Sequence, residues 1–313
     1  MVNQAWRFIV AIVFLTLLEV LQGEVSLWQR WWTYRGISGP NYWGLLNPNW
    51  KLCSDGKRQS PINIDLQMLL FDPTLSLVHI GGGKVNGVLM NNGNEVTLEI
   101  NDSAVQNLII TSGPLSYKYC VKHIKFHFGS KGFNGGEHHI NGLTFPAELQ
   151  LMAYNCELYD NFTQAERSPH GLSGLAIFVQ IGKKEHEDFD VIAHAMKKVR
   201  FKGQRNSLGR LDIKGILPNT TQYITYEGSL TQPGCHETVT WIVLNRPIYV
   251  SKKQIDLLRA LTKVASRIHR CSWNEIIAVR PVNHRVIRTN INFNKGCTMK
   301  SDMFYEVNKR YKD

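Results

Sequence analysis

The stretch Ile124–Gln150 decides the fold of this chain. Its first part, Ile124–Ser130, reads IKFHFGS, and its last part, Pro146–Gln150, reads PAELQ. Apolar and polar residues alternate in both parts, which predicts two half-buried strands. Between them Gly135–His139 reads GGEHH, and its paired glycines are typical of a turn. The stretch therefore predicts two neighbouring strands of one sheet.

The polar positions of these two strands predict a functional pocket. Residues two apart share a face of a strand, so Lys125 and His127 point the same way and Gln150 meets them from the next strand. Catalytic zinc is normally held by three thiolate, imidazole or carboxylate ligands and a water. Lys125 is an ammonium without a lone pair, and Gln150 offers only a neutral amide oxygen. We interpret the trio as a zinc-enzyme scaffold whose metal site is dismantled, and expect no zinc.

Composition and the N-terminus indicate an exported globular protein. Of the 313 residues, 43% are hydrophobic and 19% are charged, which is enough for a large core. Arg7, the apolar run Phe8–Leu18 and the small residue Gly23 predict a signal peptide over residues 1–23; a buried N-terminal helix is the alternative. No later segment is apolar for the roughly 18 residues of a transmembrane helix.

Sequons and cysteines agree with secretion. Glycosylation sequons begin at Asn101, Asn161 and Asn219. The six cysteines fit an oxidising compartment, although spacing alone does not assign their pairs. Cys297 is a candidate for intermolecular pairing and a disulfide-linked oligomer, and a free or capped thiol is an equal alternative.

The formal net charge is +11 and the isoelectric point is near 9.4. Basic residues gather at Lys197–Arg210, Lys252–Arg270 and Lys309–Lys312. An exported basic protein can meet acidic glycans or acidic receptor surfaces, whereas the leader argues against nucleic acid. A solvated basic surface is an equal alternative to a dedicated patch.

Periodicity adds further strands and one helix. Asn94–Ile100 alternates, whereas Leu175–Ile181 and Val239–Leu244 are the continuous apolar runs of central strands. The one helix predicted is Lys252–Thr262, which Ser251 and Gln254 begin with a capping box.

We predict one sheet-dominated domain over residues 24–293 and a basic tail over residues 294–313. The composition does not break sharply before about residue 293. Dense aromatic residues between Trp28 and Trp50 predict a cluster that pins the N-terminal segment, with an exposed recognition patch as the alternative.

Six motifs in order resemble the α-class carbonic anhydrases over roughly Trp31 to Phe293. The motifs are RQSPINI (Arg58–Ile64), GGEH (Gly135–His138), PAEL (Pro146–Leu149), GSLTQP (Gly228–Pro233), VTWIVL (Val239–Leu244) and Arg280-Pro281. The resemblance implies a β-dominated α+β domain with a central twisted, largely antiparallel ten-stranded sheet and peripheral helices.

Active members of this family bind zinc with a His-x-His pair and a third histidine on the next strand, and the ion generates hydroxide. Lys125, His127 and Gln150 stand at those positions, so two of the three ligands are lost. Asn94 stands where the proton-shuttling histidine would be, and an amide cannot titrate.

The resemblance implies that the wall around the pocket remains. Thr231 and Glu137 match the threonine–glutamate pair that orients the zinc hydroxide, and Glu148 matches the acid that orients a histidine ligand. We expect the Lys125 ammonium to enter the vacated space and bond to Gln150 or water. Because a buried cation needs a partner, Glu137 or Glu148 is expected to compensate it.

This pattern of loss resembles the acatalytic carbonic anhydrase-related proteins, specifically the secreted X and XI pair. Three stretches carry that match: LCSDGKR (Leu52–Arg58), PGCHET (Pro233–Thr238) and IRTNINF (Ile287–Phe293). The resemblance implies a non-enzymatic extracellular ligand of neurexin-type synaptic adhesion receptors.

Resemblance to secreted family members also implies a disulfide between Cys53 and Cys235. The remaining cysteines have no assignment from that match, and they are Cys120, Cys156, Cys271 and Cys297.

The alternative function is an active zinc carbonate dehydratase or esterase with a non-standard metal site. His123 shares a face with His127, but residues four apart in a strand are about 13 Å apart. His138 and His139 are adjacent, so their side chains point to opposite faces and chelate poorly. Ordinary polar histidines are the favoured interpretation.

Overall fold

The computed structural model of the chain describes residues 32–101, 108–130, 132, 134–262, 277–293 and 303–307. The predicted signal peptide, Cys271, Cys297 and most of the predicted basic tail lie outside the described residues. The domain boundaries therefore stay predictions.

The described residues form fifteen strands and seven α-helical segments. The strands are β1 (Asn63–Ile64), β2 (Leu69–Phe71), β3 (Val78–Gly82), β4 (Val85–Asn91), β5 (Val96–Ile100), β6 (Leu108–Ser112), β7 (Tyr119–Phe128), β8 (His139–Ile140), β9 (Ala147–Asn155), β10 (Leu172–Gly182), β11 (Arg205–Leu211), β12 (Tyr223–Gly228), β13 (Val239–Leu244), β14 (Ile248–Ser251) and β15 (Ile287–Thr289). The helices are α1 (Trp43–Leu46), α2 (Leu52–Asp55), α3 (Phe162–Ala165), α4 (Glu187–Met196), α5 (Ile213–Ile216), α6 (Lys252–Arg259) and α7 (Phe304–Val307).

One large sheet organises the described part of the molecule. Ten strands follow the path β11-β4-β5-β7-β9-β10-β13-β12-β15-β2, and β3, β6 and β14 pair beside it. Nine pairings are antiparallel. Three are parallel, namely β10 with β13, β10 with β14, and β15 with β2. The expected β-dominated, largely antiparallel sheet with peripheral helices is confirmed.

The strand patterns of the sequence are also confirmed. In β5 the side chains of Val96, Leu98 and Ile100 are fully buried, and the intervening residues are half-buried. Strands β10 and β13 lie side by side near the middle of the sheet, and every residue of β13 is buried. Continuous apolar runs suit strands covered on both faces.

The predicted helix begins as expected and ends early. Ser251 and Gln254 form the capping box, but the helix stops at Arg259. The backbone N–H of Thr262 instead donates to the carbonyl of Arg200 at 2.8 Å.

Helix α4 was not predicted from the sequence. Its apolar spacing was a sufficient signal, since Phe189, Ile192, Ala193 and Met196 recur at helical intervals and are buried.

Two disulfides and an aromatic cluster hold the described chain together. The Cys53–Cys235 disulfide that the resemblance implies is present and spans 182 residues of sequence. A second disulfide, Cys120–Cys156, joins the start of β7 to the residue after β9, and sequence spacing did not assign it. Edge-to-face contacts join Trp32, Tyr34 and Trp43, which matches the expected aromatic cluster.

Candidate functional site

The polar trio of the sequence lies together at the centre of the sheet. Strands β7 and β9 pair so that Lys125 is opposite Gln150 and His127 is opposite Glu148. The exposed fractions of Lys125, His127 and Gln150 are 6%, 7% and 1%. The pocket is therefore a buried polar site within an apolar sheet.

Lys125 finds its partners outside the trio. Its Nζ atom donates to Glu95 Oε1 at 3.1 Å and also to Gln232 Oε1. The side chain of Glu95 is only 12% exposed, so the ion pair is largely shielded from water. Strand β5 lies against β7 with Thr97 opposite Lys125, which brings the neighbouring turn and Glu95 within reach.

The protein partners expected for Lys125 were wrong. No hydrogen bond joins it to Gln150, and neither Glu137 nor Glu148 forms an ion pair with it among the described residues. The physical reason is the register of β5, which brings Glu95 within reach of Lys125, whereas the Gln150 amide donates to one oxygen of each of these two acids.

The Gln150 amide bridges the two buried acids. Its Nε2 donates to Glu137 Oε2 at 2.9 Å and to Glu148 Oε1 at 2.9 Å. Nδ1 of His127 lies 3.3 Å from the other oxygen of Glu137. His127 Nε2 and Glu137 Oε1 make no hydrogen bond with any described residue. Gln150 thus turns its amide N–H group toward the two acids, and an N–H group has no lone pair for a metal.

A buried hydrogen-bonded chain leads away from this pocket. Glu148 Oε1 lies 2.8 Å from His138 Nδ1, and His138 Nε2 lies 2.7 Å from the Tyr226 hydroxyl. That hydroxyl lies 2.9 Å from Ser60 Oγ. His138 also donates its backbone N–H to Glu148 Oε2. All four residues are buried, so the chain ties β9 and β12 to the loop before β1.

The pKa of Glu148 reflects the groups that surround its carboxylate in this hydrogen-bonded chain. Burial alone would raise the pKa of Glu148. The charge of His138 and hydrogen bonds from His138 and Gln150 outweigh burial and lower this pKa to about 2. The carboxylate is therefore ionised in the folded protein and stabilises it.

The resemblance assigns two further residues to the pocket, Thr231 and Asn94. Thr231 is buried, but no hydrogen bond joins it to Glu137 in the described part of the chain. Asn94 lies in the turn before β5, where its backbone N–H donates to Asn92 Oδ1 at 2.8 Å.

A zinc ion does not fit the donors that are present. His127 is the one member of the trio whose side chain is a usual zinc ligand, because the Lys125 ammonium has no lone pair and Gln150 offers only a neutral amide oxygen. Among the described residues, no group of three or more histidine, cysteine, aspartate or glutamate side chains is arranged to hold a metal. Both ring nitrogens of His138 are engaged in the buried chain.

His123, the other histidine on this face of β7, packs edge-on against Phe162 at 4.9 Å. Burial, and then the charges of Lys125 and Lys122, lower the pKa of His123 to about 3. A neutral side chain packed against an aromatic ring fits the interpretation of an ordinary polar histidine.

An open cleft of about 660 Å³ lies above the pocket. Lys125 and His123 line it, and Glu166, Lys202 and Arg205 are among its other lining residues. Sequence reasoning missed Glu95 and Gln232, the residues that hold Lys125. They directly follow Asn94 and Thr231, but only the conformations of two loops turn them toward β7.

The Lys125–Glu95 pair is expected to stabilise the fold. Lys125→Met should lower the free energy of unfolding by about 3 kcal/mol, because it leaves Glu95 buried without a cation. Adding Glu95→Gln should recover most of that loss. Urea denaturation of the four combinations measures the coupling.

The matched control for this cycle is the neighbouring pair Lys122–Glu99, at 3.3 Å, whose glutamate is 40% exposed. Its coupling should stay below about 1 kcal/mol, as for exposed pairs. Equal coupling at the two sites would contradict a special role for Lys125.

The lowered pKa of Glu148 predicts that the folded protein loses stability in acid. Its lowered pKa contributes stability that is complete above the ordinary value of 4.5 and is lost as pH falls through that value toward about 2. Glu148→Gln should therefore be less stable than the parent by about 3 kcal/mol at pH 6, and the gap should close near pH 2. Urea midpoints from pH 2 to 6 test this, with the exposed Glu157→Gln as control. A gap that does not change with pH would refute it.

Comparison with known proteins agrees with this geometry. The eukaryotic-type carbonic anhydrase family model matches residues 38–291. The chain is 40% identical over 266 residues to "Putative carbonic anhydrase-like protein 2" of Caenorhabditis elegans, covering 83% of this chain and 79% of that protein. It is 33% identical over 327 residues to "Putative carbonic anhydrase-like protein 1" of the same organism, covering 83% and 90%. The chain belongs to the eukaryotic-type carbonic anhydrase family.

Proposed function

We propose that this protein is a secreted, catalytically inactive carbonic anhydrase-like protein that acts as an extracellular binding ligand. The observation that carries the proposal is the buried Lys125 ammonium, which Glu95 and Gln232 hold at the position that the family resemblance assigns to a zinc ligand. Without bound zinc the family chemistry has no source of hydroxide near neutral pH. The fold then serves as a binding scaffold.

The charges in the pocket also oppose entry of an ion. A divalent cation would meet the fixed positive charge of Lys125 within a site shielded from water. To make room, Lys125 would have to leave Glu95, which would be buried without its partner. His127 alone cannot offset both penalties.

Two features support an extracellular location. Two disulfides are present, and such bonds persist in oxidising compartments. The sequon asparagines Asn101, Asn161 and Asn219 are all exposed. Asn161 caps α3 through Oδ1, which leaves its amide nitrogen available for a glycan. No helix in the described ranges is long and apolar enough to cross a membrane.

Introducing histidines at positions 125 and 150 should give zinc binding. Lys125→His with Gln150→His recreates three imidazoles, and Glu95→Gln removes the carboxylate that would lose its partner. This triple variant should bind about one zinc per chain and gain weak carbon dioxide hydration, while the parent shows neither. Metal analysis and stopped-flow hydration measure both.

The control carries Lys125→Gln, Gln150→Asn and Glu95→Gln, which remove the same charges without adding imidazoles. A parent protein that hydrates carbon dioxide would overturn the proposal. A triple variant that folds but takes up no zinc would show that the pocket is wrongly assigned.

The proposed partner is a neurexin-type adhesion receptor, as the family resemblance implies. Cys297 is the candidate for a covalent link to a partner or a second copy. Secreted full-length protein should retain a neurexin-type ectodomain in a pull-down, whereas a catalytically active family member should not. Reductant or Cys297→Ser should release the fraction that is disulfide-linked. Failure to retain the ectodomain would reject this partner and leave the inactive pocket unaffected.

A further inference from the structure

A band of positive charge runs along one edge of the sheet. We call it the basic edge, and it consists of Lys197, Lys198, Arg200, Lys202, Arg205 and Arg210. All six side chains are exposed. They extend from the end of α4 to β11, which is the terminal strand of the ten-strand path. Between Asp190 and Asp212 the sequence contains no acidic residue.

Several exposed lysines outside the basic edge form ion pairs with carboxylates. Lys51, Lys118 and Lys253 lie 3.5, 3.7 and 3.0 Å from carboxylate oxygens. No member of the basic edge forms an ion pair with a described carboxylate. Its charge is therefore available to an outside partner.

The described basic residues of the second cluster, Lys252–Arg270, all have partners. Lys252 lies 3.7 Å from Asp256, and Lys253 lies 3.0 Å from Glu185. Arg259 donates to the backbone carbonyls of Gly129 and Gly132. These contacts leave the basic edge as the stronger candidate.

Hydrogen bonds fix the backbone that carries the basic edge. The amide of Asn91 donates to the carbonyls of Val199 at 3.1 Å and Thr262 at 3.0 Å. The carbonyl of Asn91 accepts the backbone N–H of Gly203 at 2.7 Å. Because the segment is held before binding, less conformational entropy is lost when a ligand docks.

The shape of the basic edge disfavours an added β-strand. The pairing of β11 with β4 shifts register between Leu208 and Leu211, and Arg210 has φ +56°. Such an irregularity, together with charged side chains, blunts an edge against strand pairing. Contacts to a partner would therefore come from side chains.

The chemistry of the surface favours a polyanion over a folded protein. Stable protein interfaces have an apolar or aromatic centre. None of the exposed large apolar side chains of the described residues lies between residues 197 and 210. Arg205 and Arg210 stand five residues apart on β11, which is roughly 16 Å at 3.3 Å per residue, and the other four members precede that strand. That geometry suits a linear chain that carries negative charge along its length.

We propose that the basic edge binds a sulfated glycosaminoglycan. Arginine binds planar groups of anionic oxygens in two-point contacts, and lysine adds point charges. Lys202 and Arg205 also line the cleft above Lys125, so a glycan bound to them would lie at the entrance of that cleft. The inference relies on the proposed function only for the extracellular location. Loss of glycan binding would not change the assignment of the inactive pocket.

The test is binding of the full chain to a heparin oligosaccharide of defined length by calorimetry over a series of salt concentrations. The edge variant carries Lys197→Gln, Lys198→Gln, Lys202→Gln and Arg205→Gln. It should bind at least about tenfold more weakly than the parent and show a shallower salt dependence, because fewer counterions are released. Equal melting temperatures would show that the variant is folded.

The matched control removes four positive charges elsewhere, with Lys51→Gln, Lys118→Gln, Lys252→Gln and Lys253→Gln. It should lose less than about threefold in affinity. Equal losses in the two variants would overturn the proposal, because net charge alone would then explain binding. Equally tight binding of polyglutamate would also overturn it in favour of an acidic polypeptide.

A second measurement needs no variant. Heparin should protect Lys197, Lys198 and Lys202 of the parent from acetylation, while Lys51 and Lys118 stay reactive. An unsulfated glycan such as hyaluronan should protect none of them. Uniform protection, or none at the basic edge, would contradict the proposed surface.

Discussion

The ion pair between Lys125 and Glu95 is the interaction on which the rest of the site depends. It places a fixed cation in the centre of the sheet, at 3.1 Å from a carboxylate that water scarcely reaches. An ammonium there is incompatible with a divalent ion, because it offers no lone pair and repels positive charge. Strands β5, β7 and β9 pair around it, with Thr97 and Gln150 opposite Lys125.

The second constraint is that the buried acids around the pocket need hydrogen-bond donors. Glu137 and Glu148 are fully buried, and a buried carboxylate without a donor is strongly destabilising. Gln150 satisfies one oxygen of each, and His138 satisfies the rest of Glu148. Gln150 thus links the two buried acids into one hydrogen-bonded network, in which Glu137 Oε1 and His127 Nε2 keep no described hydrogen-bond partner. We infer that this network preserves the fold without a metal.

Much of this arrangement could be predicted from the sequence, because it depends on strand periodicity. The alternation around Lys125 and His127 was enough to place both residues on one face beside Gln150. The apolar runs and the Ser251 capping box likewise depend on local spacing. The family motifs implied the sheet and the Cys53–Cys235 disulfide.

The remaining features depend on contacts that local patterns do not encode. Glu95 and Gln232 reach Lys125 from two loops that are distant in sequence, so periodicity gives no sign of the pair. The Cys120–Cys156 disulfide follows from how β7 and β9 are paired. Basic clusters that look alike in sequence also differ in structure, since only tertiary contacts show which charges are neutralised.

The most direct test of the central claim is the zinc content of the parent protein. The chain, with its disulfides intact, would be equilibrated with excess zinc, freed of unbound metal and weighed by native mass spectrometry. The pocket described above predicts far less than one zinc ion per chain, with no change in His127→Ala. One tightly held zinc per chain that disappears in His127→Ala would contradict it.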